Sequence, residues 1–579
     1  MQLLGQSEGW KLFNEKACKS RGAEFETSEF ETIGRPVVEK CKGLPLAIIV
    51  VAGLFSKLNT LEEWKNTANA LSFSSTTTLD DEECSRILSL SYNHLTHNLK
   101  ACFLYLGVFP EDHKIHANNL GRLWLAEGLV KAFENEEFDA VANRYMLELM
   151  DRNLIILSQL SPCGRKIKSF RMHDLLHAFC VREAQKENLL HVVLSENRSD
   201  FPQKGFRWVS IQSVNFDMST IRSQSKSWKS FLYFLLEESS LEFNDFNLLR
   251  VLYSSTKSMK VMVLTDIVHL RLLILKQNIK LSRARGFLKP RCRKGIELSR
   301  SWNLQTLLCS KVVSYRSDDG GNYSEFPQLQ YIRCYDGFIH GNPPSFVHKL
   351  FRIRVDDCTQ EYIKNIPFLK KVGIVCEGRD DYNGCITNLA SSEQLEGLHF
   401  GGTEFYIHSQ FTNHIVLLKN LRTLSLFFVV FDSDGIDILS KLPRLEVLKL
   451  KYIGFRGAQW KIQEEVIFCQ LIFLEIFCTP LEHWEASSHN FPKLEHLYIR
   501  FCYKLREIPI DFAEISTLKS IKLRECLHSA VESAKKILDE QRDYGNNDMV
   551  VIKKETLNVS ESEESLSEEE PDQKWITDN

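Results

Sequence analysis

Leu497-Tyr498-Ile499-Arg500-Phe501-Cys502-Tyr503-Lys504-Leu505-Arg506-Glu507-Ile508-Pro509 places apolar residues at its first, third, sixth, ninth and twelfth positions. The alternation of Leu497, Tyr498 and Ile499 reads as a short strand, and Cys502 takes the position that packs inside the following turn. Counting back to Leu494 gives Leu494-x-x-Leu497-x-Ile499. The same triplet opens at Leu421, Leu445, Leu471 and Leu518, so successive starts lie 24, 26, 23 and 24 residues apart. That spacing falls in the window of roughly 20–29 residues for leucine-rich repeats. Weaker copies begin at Leu270, Leu304, Leu329, Leu369 and Leu395.

Such repeats cannot bury their apolar positions singly, so they stack into one continuous core with a parallel sheet on the concave side. Alternation puts Arg422, Thr423, Ser425, Glu446, Val447 and Lys449 on that side, followed by Glu495, His496, Tyr498, Lys519, Ser520 and Lys522. A mixed charged and aromatic face suits protein recognition, although each of these residues singly also reads as an ordinary solvated side chain. Between Leu270 and Leu304 the spacing stretches and Arg283, Arg285, Lys289, Arg291, Arg293 and Lys294 crowd together. They read as a solvated insertion or a basic docking loop.

The region before the repeats follows a helical period. Trp10, Phe13 and Ala17 fall on one helical face. Ile33 to Lys42 reads as a helix with Pro36 in its first turn and Gly43 as the stop. Pro45 then suits the first turn of a helix through Phe55, apolar almost all round and therefore buried. A second helical group runs from Ile87 to Val130, broken at Pro110. Asn153–Ser158 and Lys166–Arg171 read as two strands around Ser161-Pro162-Cys163-Gly164. Helices followed by a hairpin outline a winged helix. Its candidate recognition helix carries Asn118, Asn119, Arg122, Trp124 and Glu127, too little positive charge to grip DNA phosphates.

At the junction stands Phe170-Arg171-Met172-His173-Asp174-Leu175-Leu176. One reading makes Met172 core, Asp174 the helix cap and His173 a solvated neighbour. The other uses the helix start as an anion site, with His173 beside a phosphate.

At 579 residues the chain is long enough for two to four domains, and a net charge of −3 argues against a dominant nucleic-acid footprint. The sixteen cysteines form no CxxC pair, which suits buried free thiols in a reducing compartment. The N-terminus lacks the pattern of a secretory signal, and the apolar run Leu44–Phe55 is too short to span a bilayer.

The order of Trp10-Lys11-Leu12-Phe13, Gly43-Leu44-Pro45-Leu46-Ala47, Cys102–Asp112, Trp124-Leu125-Ala126-Glu127-Gly128 and Met172-His173-Asp174 resembles the NB-ARC module of plant disease-resistance receptors. The wording is most similar to the coiled-coil class and, within it, to the late blight resistance proteins of the nightshade group. The resemblance implies a multidomain chain. An α-helical first ARC subdomain would span 1–80 and a winged-helix second ARC subdomain 81–190. A linker at 191–205 would lead to an α/β leucine-rich-repeat solenoid over 206–540 and an acidic disordered tail over 541–579.

It also implies an ADP/ATP switch in which Gly43, Leu44 and Pro45 lie near the adenine, while His173 and Asp174 lie near the phosphates. No G-x-x-x-x-G-K-[ST] occurs in this sequence, nor the family's acidic Mg²⁺ motif, so nucleotide grip and hydrolysis are not expected. The chain reads as truncated relative to the family, non-enzymatic, metal-free and cytoplasmic. Its implied partners are a pathogen effector or guarded host protein on the repeat face, with an intramolecular ARC–repeat contact. Membrane association would come only through partners, and no direct nucleic acid is expected. The competing reading is a repeat adaptor or decoy without nucleotide switching.

Overall fold

The computed structural model describes residues 3–18, 28–72, 80–130, 138–160, 166–194, 205–212, 227–234, 239–242, 246–255, 259–264, 267–275, 297–298, 302–309, 313–314, 326–334, 339–340, 343–376, 382–402, 407–408, 411–431, 435–546 and 549–557. The chain divides into two compact units, 1–237 with 245–256, and 238–244 with 257–579.

The first unit opens with α1 (Gln6–Ala17), α2 (Ser28–Lys40), α3 (Pro45–Phe55) and α4 (Leu61–Ser72). Phe13, Phe55 and Trp64 are buried at their meeting point, Trp64 edge-on to both rings at 6.0 and 4.9 Å. Helix α3 has Pro45 at its start and buries Leu46–Ile48 and Val50–Phe55, as an all-apolar helix must. Helix α2 departs from the expectation. It begins at Ser28 and carries Pro36 in its interior, with acidic Glu29 and Glu31 occupying the first turn.

The winged helix follows: α5 (Asp80–Asn93), α6 (His97–Leu104), β1 (Ile115–His116), α7 (Ala117–Glu127), α8 (Phe138–Asp151), β2 (Ile156–Leu160), β3 (Ile167–Arg171) and α9 (Asp174–Lys186). Strand β3 is central, antiparallel to both β1 and β2. Helix α7 stops at Gly128, whose φ of 81° is the left-handed stop that favours glycine. Strands β4 (Leu190–Val193), β5 (Trp208–Ile211), β6 (Ser230–Tyr233) and Val251–Ser254 then pair in parallel. The stretch assigned to a linker thus opens on the end of a strand.

In the second unit a parallel ladder runs through Leu272–Leu275, Thr306–Cys309, Tyr331–Cys334, Lys349–Arg354, Lys371–Cys376, Gly397–Gly402, Thr423–Phe427, Val447–Lys451, Phe473–Phe477, His496–Arg500, Ser520–Leu527 and Val550–Leu557. Its register is the repeat register: Leu424, Leu448, Leu474, Leu497 and Ile521 pair in series. All five are fully buried. Cys502 lies inside its turn, Sγ 3.8 Å from the Ile476 carbonyl, and burial pushes its thiol up in pKa. The sheet continues beyond 541, where an acidic tail was expected. The helix His528–Asp543 buries Gln541, and the following strand pairs with Ser520–Leu527. The cause is local: Val550, Val551 and Ile552 precede the acidic run and suit a strand. The acidic run from 558 and the basic cluster 283–294 lie outside the described residues.

Candidate functional site

Gly43, Leu44 and Pro45 form the hinge between α2 and α3. Lys42 and Gly43 both have positive φ, 48° and 73°. The Leu4 amide donates to the Gly43 carbonyl at 2.9 Å. A Cβ at residue 43 would stand 2.4 Å from the Leu4 carbonyl oxygen, so the conformation and the close approach both require glycine. Leu44 is the extended residue before the helix and Pro45 its first residue, half-buried.

His173, rather than Asp174, caps α9. Its backbone is extended and its Nδ1 accepts the Leu175 amide at 3.3 Å, whereas Asp174 is already the first helical residue and is exposed. This corrects the expectation that Asp174 caps. An imidazole nitrogen reaching an N2 amide does the same work as a carboxylate oxygen there, and Asp174 contributes through the helix dipole instead. Behind them, Met172 is buried against the Cys180 thiol, and His177 Nε2 lies 2.8 Å from the Phe109 carbonyl oxygen.

No hydrogen bond or ion pair joins Gly43–Pro45 to His173–Asp174 among the described residues. What joins α3 to the winged helix lies elsewhere. Asn153 Nδ2 donates to the Ile49 carbonyl at 3.0 Å, and Lys57 pairs with Asp151 at 2.9 Å. Gly53 packs so closely that a Cβ would meet the Arg152 carbonyl oxygen at 2.6 Å.

The fit to ADP is therefore incomplete. The ring nitrogen and first-turn amide that a phosphate would use at His173 bond to each other, and the Asp174 carboxylate beside them carries the wrong charge for phosphate. Among the described residues no group of three or more His, Cys, Asp or Glu is placed to hold a metal.

The end of α7 holds a polar centre invisible in the motif that marks it. Glu127 is fully buried. Its Oε2 accepts Arg207 Nε at 2.9 Å and its Oε1 accepts Ser230 Oγ, while its backbone carbonyl accepts Arg207 and Arg250, each at 3.0 Å. Since Ser230 gives its proton to Glu127, the Tyr105 hydroxyl donates to Ser230 at 3.0 Å. Burial first, then Glu127, push that hydroxyl well up in pKa, so it stays protonated. Burial, then Arg207 and Arg250, lower Lys229 beside it. With Trp124 and Glu127 interior, α7 does not present them to a DNA groove.

On the outer face of the second unit's sheet, Ser425, Lys449, Glu475, Tyr498 and Lys522 share one register row. Ser425, Val447, Lys449 and Ser520, expected to line an open surface, are buried beneath their neighbours. Strands about 4.8 Å apart crowd adjacent side chains, so the short Ser425, Val447 and Ser520 sink below longer ones. Arg422–Glu446 at 2.5 Å and Lys519–Glu495 at 2.7 Å form exposed ion pairs beside the face.

Residues 108–180 match the family model described as the disease resistance protein winged helix domain. The chain is homologous to late blight resistance proteins. It is 27% identical to two putative late blight resistance protein homologs of Solanum demissum, over 94% and 98% of its length. It is also 27% identical to a late blight resistance protein of the same plant over 95% of its length. It spans 43–44% of the length of these relatives. An internalin of Listeria monocytogenes aligns with 61% of this chain and 80% of its own at 11% identity, with a TM-score of 0.30. Among the described residues, no helix is long and apolar enough to cross a membrane.

Proposed function

We propose that this chain acts in plant immunity by binding rather than catalysis. Its repeat sheet recognises a pathogen effector or a guarded host protein, and the helical module passes that event to partners in the cytoplasm. The observation that carries this reading is the half-buried aromatic and cationic pair Tyr498–Lys522 on the solenoid sheet, with the exposed ion pairs Arg422–Glu446 and Lys519–Glu495 beside it. The homology to late blight resistance proteins supports the pathogen side. Leaves expressing the full chain and the Tyr498→Ala, Lys522→Ala double variant are challenged with the late blight pathogen. Smaller lesions with the native chain alone support the reading; equal lesions with both overturn it.

A second reading, a repeat adaptor without nucleotide switching, is favoured by the mutual bond of His173 and Leu175. In the switch reading, Gly43, Leu44, Pro45, His173 and Asp174 supply only the sensor edge of an ADP/ATP site. Calorimetric titration of the full chain with ADP separates the two. Submicromolar binding supports the switch, and absence of binding supports the adaptor.

A further inference from the structure

The residue just ahead of each repeat's first buried apolar position stands on the turn that leads into the strand. In the later repeats of the second unit that residue is polar: Arg444, Gln470, Lys493 and Thr517, ahead of buried Leu445, Leu471, Leu494 and Leu518. Such side chains meet from turn to turn, as Lys493 Nζ donating to Gln470 Oε1 at 2.9 Å shows. Ahead of buried Val347 and Leu369 the same place is taken by Phe346 and Phe368, 50% and 39% exposed. Their rings stack 6.0 Å apart at 7°. One residue further ahead, the turns before Leu304 and Leu270 expose Trp302 by 58% and Val268 by 40%. Asn303 Nδ2 ties these two turns together by donating to the Val268 carbonyl at 2.9 Å. The exposed Pro327 stands between Trp302 and Phe346 in the order of the strands.

From Leu272–Leu275 to Lys371–Cys376 the ladder takes four steps, about 19 Å at roughly 4.8 Å per step. An apolar edge of that length is therefore confined to five consecutive turns. We propose that it binds the surface of an anionic phospholipid bilayer directly, rather than through a partner protein, with the rings of Trp302, Phe346 and Phe368 entering the headgroup layer.

Area, charge and chemistry favour a bilayer over a protein. Half-exposed, these side chains leave roughly 400 Å² of apolar surface in water, within the range that marks an interaction site. It falls well short of the roughly 800 Å² that each partner of a stable protein complex contributes. A bilayer needs no such continuous, complementary patch, because each ring gains separately on entering the interface. The residues that open the strands behind the turns are Arg271, Gln305, Gln330, His348 and Lys370, linked in series by backbone hydrogen bonds. That row holds no carboxylate for an anionic headgroup layer to repel. Trp302 adds an indole, whose apolar body and N–H suit the boundary between headgroups and acyl chains.

The full chain is sedimented with vesicles of phosphatidylcholine alone and of equal parts phosphatidylcholine and phosphatidylserine. It is expected to bind the mixed vesicles more tightly. Changing Trp302→Gln, Phe346→Gln and Phe368→Gln together should weaken that binding at least tenfold, whereas Arg444→Ala with Lys493→Ala, at the matching places of later repeats, should leave it unchanged. Trp302→Phe keeps an apolar ring and the fold, so it should still bind. It should lose the part of the tryptophan quenching by bromine-labelled acyl chains that Trp302 supplies in the native chain. No binding by the native chain, equal binding to both vesicles, full binding by the triple variant, or quenching unchanged in Trp302→Phe overturns the proposal. A dimer that forms without vesicles and is lost in the triple variant, seen by analytical ultracentrifugation, overturns it too and makes this edge an interface between copies. None of these measurements involves a pathogen, so they can fail while the immune reading holds.

Discussion

Ser230 Oγ donates to Glu127 Oε1 at 2.5 Å across 103 residues of sequence. Together with Arg207 and Arg250 it ties the last turn of the winged helix's third helix to the parallel strands that follow, within one compact unit. The Trp-Leu-Ala-Glu-Gly motif is thus a structural clasp, and its glutamate is the one residue all partners share.

Removing that carboxylate leaves Ser230 and the Nε of part-buried Arg207 without their acceptor, while the Arg207 bond to the Glu127 carbonyl remains. Glu127→Ala is expected to destabilise the chain by about 3 kcal/mol or more, since breaking a buried pair from one side strands the other charge. Replacing both, Glu127→Leu with Arg207→Met, should cost less than Glu127→Ala alone. Urea unfolding followed by tryptophan fluorescence reads both. A loss below about 1 kcal/mol for Glu127→Ala would show that the centre contributes nothing net.

The glycines Gly43 and Gly53 are constrained differently. At Gly43 a methyl meets the Leu4 carbonyl at 2.4 Å on a backbone with φ of 73°, and at Gly53 it meets the Arg152 carbonyl at 2.6 Å. Each obstacle is backbone, so Gly43→Ala and Gly53→Ala should each lower stability by about 1–3 kcal/mol. Gly9→Ala is the control, because its methyl meets only the Val38 and Ile48 side chains at 3.1 and 3.2 Å. Thermal melts that rank Gly9→Ala with the other two would contradict this account.

His173 and Asp174 separate cap from charge. His173→Ala removes the acceptor for the Leu175 amide and should cost about 0.5–2 kcal/mol, with His173→Asn restoring most of it. Asp174→Ala loses only its interaction with the helix dipole, about 0.3–1 kcal/mol. Denaturant midpoints give the order. If Asp174→Ala proves the more damaging, the cap assignment falls.

The strongest repeats were legible because leucines at 24, 26, 23 and 24 residue spacing leave few other folds. Strand Lys349–Arg354 escapes that pattern because a bulge falls between Phe351 and Ile353, with Arg352 at φ 71°, which shifts the triplet by one residue. The strands Trp208–Ile211 and Ser230–Tyr233 escape it because Val209 and Ile211, then Phe231 and Tyr233, stand where leucines are counted. At the candidate site, Gly43 and Pro45 take the places their chemistry dictates. Asp174 does not cap because an imidazole nitrogen and a carboxylate compete for the same amide, and sequence favours the carboxylate. The Glu127 clasp had no local signal at all, since its partners lie 80 to 123 residues away.

His399 gives the chain a pH response whose sign follows from its surroundings. Phe351 lies across Gly373 to meet the His399 ring edge-on at 5.3 Å, and a Cβ on Gly373 would touch Phe351 at 2.8 Å. Burial first, then the fields of Lys449, Arg333, Lys451 and Lys371, hold the imidazole well below its ordinary 6.5. The folded chain therefore keeps His399 neutral where the unfolded chain binds a proton, so stability is full above about pH 6.5 and falls as the pH drops below it. One such proton contributes at most about 1.4 kcal/mol per pH unit. Unfolding free energies of the native chain and His399→Gln, measured from pH 7.5 to 5.5, should differ by a gap that narrows or reverses on acidification. His94 and His496 are lowered too, each by burial first, so the difference between the two chains isolates His399 from them. A gap constant across that range would mean that His399 titrates normally, and that the cations across the sheet do not act on it.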